Sequence, residues 1–170
     1  MKRWSHIRQK LEEDYLCTKL RGRVQYFATT YKKCHDREGR AAIRLDGVEI
    51  CKSGYYNYLH AHTQAYRQLT EGTRREKWEK AEEIAMDQGE FDQRDFYLDF
   101  QEFENQSIEQ SLQSPRPLVR IFALLDRRTG KRRLLSLAET MERELPWVRV
   151  FYDVRMEAEG LERRSENAYS

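Results

Sequence analysis

The stretch Ile43-Arg44-Leu45-Asp46-Gly47-Val48-Glu49-Ile50 decides how the rest of this chain is read. Asp46-Gly47 is the signature of a two-residue type I′ turn, whose central positions both need a positive φ that Asp tolerates and Gly favours. Such a loop pairs Leu45 with Val48 and Ile43 with Ile50 on one face, and sets Arg44 against Glu49 on the other. Turn chemistry, alternation and cross-strand charge therefore agree on an antiparallel hairpin. Toward the N-terminus, Arg23 to Tyr31 is rich in Val, Tyr, Phe and Thr, and Asp36-Arg37-Glu38-Gly39 supplies the intervening turn. A three-stranded antiparallel meander over about 23–51 is predicted.

Trp4, Ile7, Leu11 and Tyr15 recur at helical spacing, which predicts an amphipathic helix ending near Cys17. After the meander, Leu59, His62, Tyr66 and Leu69 mark a helix over 55–69. Thr73 and Glu76 form a capping box for a second, with Trp78, Ala81 and Ala85 inside. A third is expected over 90–113, carrying Phe96, Phe100, Phe103, Ile108 and Leu112 on one stripe and stopped by Pro115 and Pro117. The nearly continuous apolar run Leu118 to Leu125 is expected as a central strand covered on both faces, with Lys131 to Leu135 as its return after Thr129-Gly130. Ser136 and Glu139 read as another capping box, with Leu137, Met141 and Leu145 on one helix face and Pro146 closing that helix. The alternation from Val148 to Ala158 predicts a last strand.

The fold class expected is α+β: an antiparallel or mixed sheet, made of the N-terminal meander plus C-terminal strands, with helices packed largely on one side. One domain over 1–160 with an acidic helical middle (about 55–113) and a flexible polar tail over 161–170 is predicted.

Composition narrows the class of function. Hydrophobic residues at 39% and aromatics at 12% are too many for a disordered chain, while charged residues at 35% imply a heavily solvated surface. The net charge of +2 hides a segregation: residues 1–45 carry +7, residues 46–114 carry −8, and residues 115–170 carry +3. Such a layout bears on partners and association rates rather than on the fold. No apolar run approaches a membrane span, and the opening Met-Lys-Arg-Trp-Ser-His lacks an apolar signal core, so a cytoplasmic protein without membrane partners is expected. Cys17, Cys34 and Cys51 form no CxxC pair and are read as thiols rather than metal ligands.

Lys2-Arg3-Trp4-Ser5, Lys10-Leu11-Glu12, Leu20-Arg21-Gly22-Arg23-Val24 and Tyr26-Phe27-Ala28-Thr29-Thr30-Tyr31 resemble segments of a family of short, uncharacterised bacterial proteins. So do Arg120-Ile121-Phe122-Ala123-Leu124-Leu125-Asp126-Arg127-Arg128-Thr129-Gly130-Lys131-Arg132, Phe151-Tyr152 and Arg155. The likeness covers roughly the first and last 45 residues. It implies a shared fold unit and carries no established chemistry; small proteins of this sort also occur on phages and mobile elements.

The densest basic site is Arg127, Arg128, Lys131, Arg132 and Arg133, five cations around an expected hairpin turn. Guanidinium forks match phosphate oxygens, and a turn projects them clear of the sheet, so the expected partner is nucleic acid or a nucleoprotein complex. Arg21, Arg23, Lys32 and Lys33 form a second basic group interleaved with Tyr26, Phe27 and Tyr31. Those aromatics could stack bases, but in strands they belong to the core more often than not. The acidic counterpart is Asp92, Asp95, Asp99 and Glu102, which share a helical stripe. Carboxylates at that spacing repel one another, and could instead occupy the basic groove of a nuclease or a guide-RNA effector, as an inhibitor of the CRISPR type would. The plainer reading is a helix face matched by the protein's own basic ends.

Enzyme readings have less behind them. Asp46, Glu49 and Lys52 lie near one hairpin, which is the minimum for a metal-dependent nuclease, yet Arg44 opposite Glu49 already accounts for one of them. His60 and His62, two apart on a helix, point to different faces, and His62 on the apolar stripe reads as a core residue. Cys34-His35 lacks an orienting third group. No cofactor or metal is called for, and a non-enzymatic binding protein is the expectation.

Overall fold

The computed structural model describes residues 2–31, 39–91 and 93–162, with the side chains of 52 and 53 excepted. The expected turn at 36–38, Asp92 and the tail from 163 lie outside the described residues. β1 (Val24–Thr30), β2 (Gly39–Leu45) and β3 (Val48–Gly54) form an antiparallel meander in sequence order. Asp46 and Gly47 both take positive φ, 50° and 83°, as a type I′ turn requires. Leu45 faces Val48 and Arg44 faces Glu49 as read from the sequence, but Ile43 pairs with Cys51 rather than Ile50. The extra residue on β3 is a bulge, and it moves Cys51 onto the core face beside Val24, Tyr26, Ala41 and Ile43.

α1 (Trp4–Gln9) runs on into a wider turn over Lys10–Asp14, and a short 3-10 turn, Thr18–Leu20, precedes the sheet. α2 (Tyr55–Gln68) and α3 (Arg74–Asp87) form where helical spacing placed them. The Thr73 cap is complete: its hydroxyl accepts from the Glu76 N–H at 3.2 Å, and the Glu76 carboxylate accepts from the Thr73 N–H at 2.7 Å. The helix expected over 90–113 is two helices, α4 (Gln93–Glu104) and α5 (Ile108–Leu112). Ser107 causes the break, because its hydroxyl accepts from the Gln110 N–H at 3.1 Å while the Gln110 side chain accepts from the Ser107 N–H at 2.9 Å. A second capping box thus restarts the chain as a new helix.

The C-terminal third corrects the strand expectations. Leu118 to Leu125 lies in α6 (Pro117–Leu125), Lys131 to Leu135 in α7 (Lys131–Ser136), and Val148 to Ala158 in α9 (Pro146–Ala158), with α8 (Ala138–Glu142) between. A continuous apolar run suits a strand covered on both faces and a helix buried all round equally well. Pro117 decides it, since proline at the first helical position is pre-set for a helix and loses no hydrogen bond. Pro146 likewise opens α9 instead of closing α8, and Gly160, at φ 67°, ends it. The alternation in α9 coincides with a helical stripe: Val148, Phe151, Tyr152, Arg155 and Met156 are buried, whereas Val150 is 36% exposed. The Ser136 to Glu139 box does not form, because the Ser136 hydroxyl donates to the Arg133 carbonyl at 2.7 Å. The fold is therefore α+β, with its sheet confined to the N-terminal meander among the described residues.

α6 occupies the centre. Phe122 stacks on Phe96 at 6.1 Å between ring centres and meets Tyr26 and Phe103 at 5.7 Å each. Burying an aromatic or aliphatic side chain of this kind stabilises a fold by about 1.5–3 kcal/mol, so this cluster joins sheet, α4 and α6 firmly. α2 and α3 pack on each other through Ala65, Ala81 and His62, whose ring centre lies 4.1 Å from that of Trp78. Among the described residues no helix is long and apolar enough to cross a membrane.

Candidate nucleic-acid interface

The five clustered cations lie on the connection between α6 and α7 and on the first turn of α7, not on a β-hairpin. Three sets of bonds fix that connection. The Arg127 N–H donates to the Tyr15 carbonyl and the Cys17 N–H to the Leu125 carbonyl, both at 2.8 Å, which fastens the loop to the N-terminal segment. Thr129, fully buried, donates from Oγ1 to the Ala123 carbonyl at 2.6 Å. Arg155, 2% exposed, donates from Nη1 to the Leu124 and Asp126 carbonyls at 3.0 and 2.7 Å, and from Nη2 to the Thr129 carbonyl at 2.8 Å. Its Nε donates to Glu159, which also accepts from Cys17 Sγ and Lys19. Burial alone would raise the Glu159 carboxyl, yet these donors hold it below its ordinary value, so the anion facing Arg155 is secured. The guanidinium thus satisfies carbonyls that the end of α6 leaves without intrahelical partners.

Within the loop, Asp126 is fully buried and accepts from the Arg128 N–H at 2.7 Å and from its guanidinium at 3.0 and 2.8 Å. Arg128 also covers the Tyr15 ring at 5.0 Å. Arg133 donates to Glu109 at 3.0 Å. Arg127, Lys131 and Arg132 are exposed and make no ion pair among the described residues. The five-cation cluster is therefore three available charges and two committed ones.

The two described members of the second basic group are bonded within the protein. Arg21 donates to the Glu13 carbonyl at 2.7 Å, and Arg23 holds Asp46 in a two-point bond at 2.9 and 3.0 Å. Lys32 and Lys33 lie outside the described residues. Tyr26 is a core residue at 3% exposure, and Phe27 lies under the Arg40 and Arg44 guanidinium groups at 5.6 and 4.8 Å.

The described members of the acidic stripe, Asp95, Asp99 and Glu102, face partners within the protein. Arg116 donates to Asp99 at 2.9 and 3.3 Å and to Asp95 at 3.1 Å, and Glu102 accepts from Ser114 at 2.5 Å. Asp99 is 2% exposed, and burial pushes its carboxyl up to about 7 against the pull of Arg116. At the hairpin, Arg23 holds Asp46 below the usual carboxylate range, and Arg40 with Arg44 does the same to Glu49. Among the described residues no group of three or more His, Cys, Asp or Glu side chains is placed to hold a metal ion. The side chain of Lys52, with Cys34 and His35, lies outside the described residues. His62 is 2% exposed, with Nε2 3.2 Å from the Trp78 carbonyl oxygen.

Fold and site together define a small α+β protein whose buried helical core fixes a cationic loop at the surface. The chain belongs to the SF0329 protein family, whose model matches residues 3–156. That match takes in the acidic middle as well as the two ends that carry the sequence resemblance. No curated protein and no solved structure matches the chain.

Reading the sequence placed the cations but missed Asp126, Thr129 and Arg155, which hold them. Arg155 had a signal: on a helix it falls on the same stripe as Val148, Phe151 and Tyr152, where a charge must be matched.

Proposed function

We propose that this is a cytoplasmic, non-enzymatic binding protein that engages nucleic acid or a nucleoprotein through the loop between α6 and α7. The observation that carries this reading is that Arg127, Lys131 and Arg132 are exposed and without ion pairs among the described residues, on a loop fastened by Arg155. Their placement brings no local gain. Lys131 and Arg132 open α7, where a cation opposes the helix dipole at a cost of about 0.3–1 kcal/mol each, and no acidic residue stands in that turn. Phosphates are the partners that such charges suit.

An inhibitor of mobile-element origin, acting through the α4 carboxylates, has less support, because Asp95, Asp99 and Glu102 are bound to Arg116 and Ser114. The test is titration of purified protein into labelled DNA and RNA at about 50 and 200 mM salt, beside the variant Arg127→Ala/Lys131→Ala/Arg132→Ala. Salt-sensitive binding that the variant loses supports the reading. Absence of binding, or binding that the variant retains, overturns it.

A further inference from the structure

Resting on that reading, we infer that the ligand of the α6–α7 loop is the sugar-phosphate backbone of a duplex, bound without regard to base sequence and over about three phosphates.

Single-strand binders combine a cationic track with aromatic faces on which bases stack. The loop has the first without the second. The exposed aromatics among the described residues are Tyr31, just past the end of β1, Tyr56 on α2 and Trp78 on α3. Tyr15, whose carbonyl accepts from the Arg127 N–H, has its ring covered by Arg128 at 5.0 Å and met edge-on by Phe103 at 5.3 Å. A base has no free ring to lie on there.

Base-edge readers are equally scarce. Residues 126–137 contain no Asn or Gln, the Thr129 hydroxyl is buried on the Ala123 carbonyl, and the Ser136 hydroxyl is turned to the Arg133 carbonyl. What remains is Arg127, Lys131 and Arg132, of which the two arginines alone have a fork for guanine. With no Asn, Gln or free hydroxyl beside them over residues 126–137, they are placed as backbone contacts. The loop's shape is set by bonds to three other parts of the chain, so it suits the regular phosphate spacing of a duplex better than a flexible strand.

Three neutralised phosphates give a slope of log K against log salt near −2.7, which is a weakening of about 40-fold between 50 and 200 mM. The experiment uses the full chain with labelled 20-base-pair duplexes of two unrelated sequences, as DNA and as RNA, and the separated strands of each. The expected result is tighter binding to a duplex than to its strands, equal affinity for both sequences within about twofold, and the stated salt response. The DNA and RNA duplexes identify which backbone is preferred. Tighter binding to single strands, or a tenfold preference between sequences, overturns this inference and leaves the nucleic-acid reading standing. Failure to bind any of these polymers overturns both.

Discussion

Arg155 donates to the carbonyl of Thr129 at 2.8 Å, and through this bond α9 sets the shape of a loop that lies 26 residues earlier in the chain. The same guanidinium reaches the Leu124 and Asp126 carbonyls, so one buried side chain closes the end of α6 and the start of the cationic segment together.

Replacing Arg155 should therefore be costly. Arg155→Met leaves Glu159 without its main buried partner and takes a donor from the carbonyls of Leu124, Asp126 and Thr129, of which Asp126 keeps the Thr129 N–H, and a loss of about 3–5 kcal/mol is expected. Arg155→Lys retains the charge but not the fork, and should lie between wild type and Arg155→Met. Urea unfolding measures both; a loss below about 1 kcal/mol for Arg155→Met would show that the loop is held by other contacts.

Ser107→Ala should remove the cap that separates α5 from α4, destabilising the protein by about 1 kcal/mol. Urea unfolding checks this, and Gln110→Ala should show a smaller loss, since only the reciprocal half of the box is removed.

Asp99 gives the fold a pH response of definite sign. Its folded value, raised by burial to about 7, lies above the unfolded value near 3.9. Between these limits the folded state holds the proton and the unfolded chain does not, so this group's contribution is full below about pH 4 and falls as pH rises through 7. Asp99→Asn should flatten that part of the stability profile, read as urea midpoints at pH 5 and 7.5. An unchanged slope would place the carboxyl in its ordinary range.

Cys51 should be inert in the native state. Burial pushes its thiol up to about 12, and burial together with Glu159 raises Cys17. In a Cys34→Ser background at pH 8, a thiol reagent should label neither cysteine until denaturant is added. Prompt labelling of Cys51 in the native protein would contradict the packing of β3.

How far the sequence disclosed this structure depended on whether neighbouring signals agreed. Around Asp46-Gly47 the turn, the alternation and the Arg44 to Glu49 pair all pointed one way, and the meander is there with a one-residue bulge. In Leu118 to Leu125 the apolar run had no period to separate a buried helix from a buried strand, and Pro117 carried the missing information. Pro146 was misread for the same reason: proline ends one element and begins another equally well. The cations at 127–133 were legible as a cluster, but which of them are available was not, because Asp126 and Glu109 answer Arg128 and Arg133 only in three dimensions. The acidic stripe was legible as a stripe, and Arg116, seventeen residues beyond Asp99, shows which way it faces.

The most direct test of the central claim is the salt slope of duplex binding for two variants of equal net charge. Arg127→Ala/Lys131→Ala/Arg132→Ala removes the three available cations of the loop, and Arg67→Ala/Arg74→Ala/Arg75→Ala removes three exposed cations of α2 and α3. The second variant should keep a slope near −2.7 and the first should lose binding. Equal weakening in both would mean that net charge, and not the loop held by Arg155, attracts the nucleic acid.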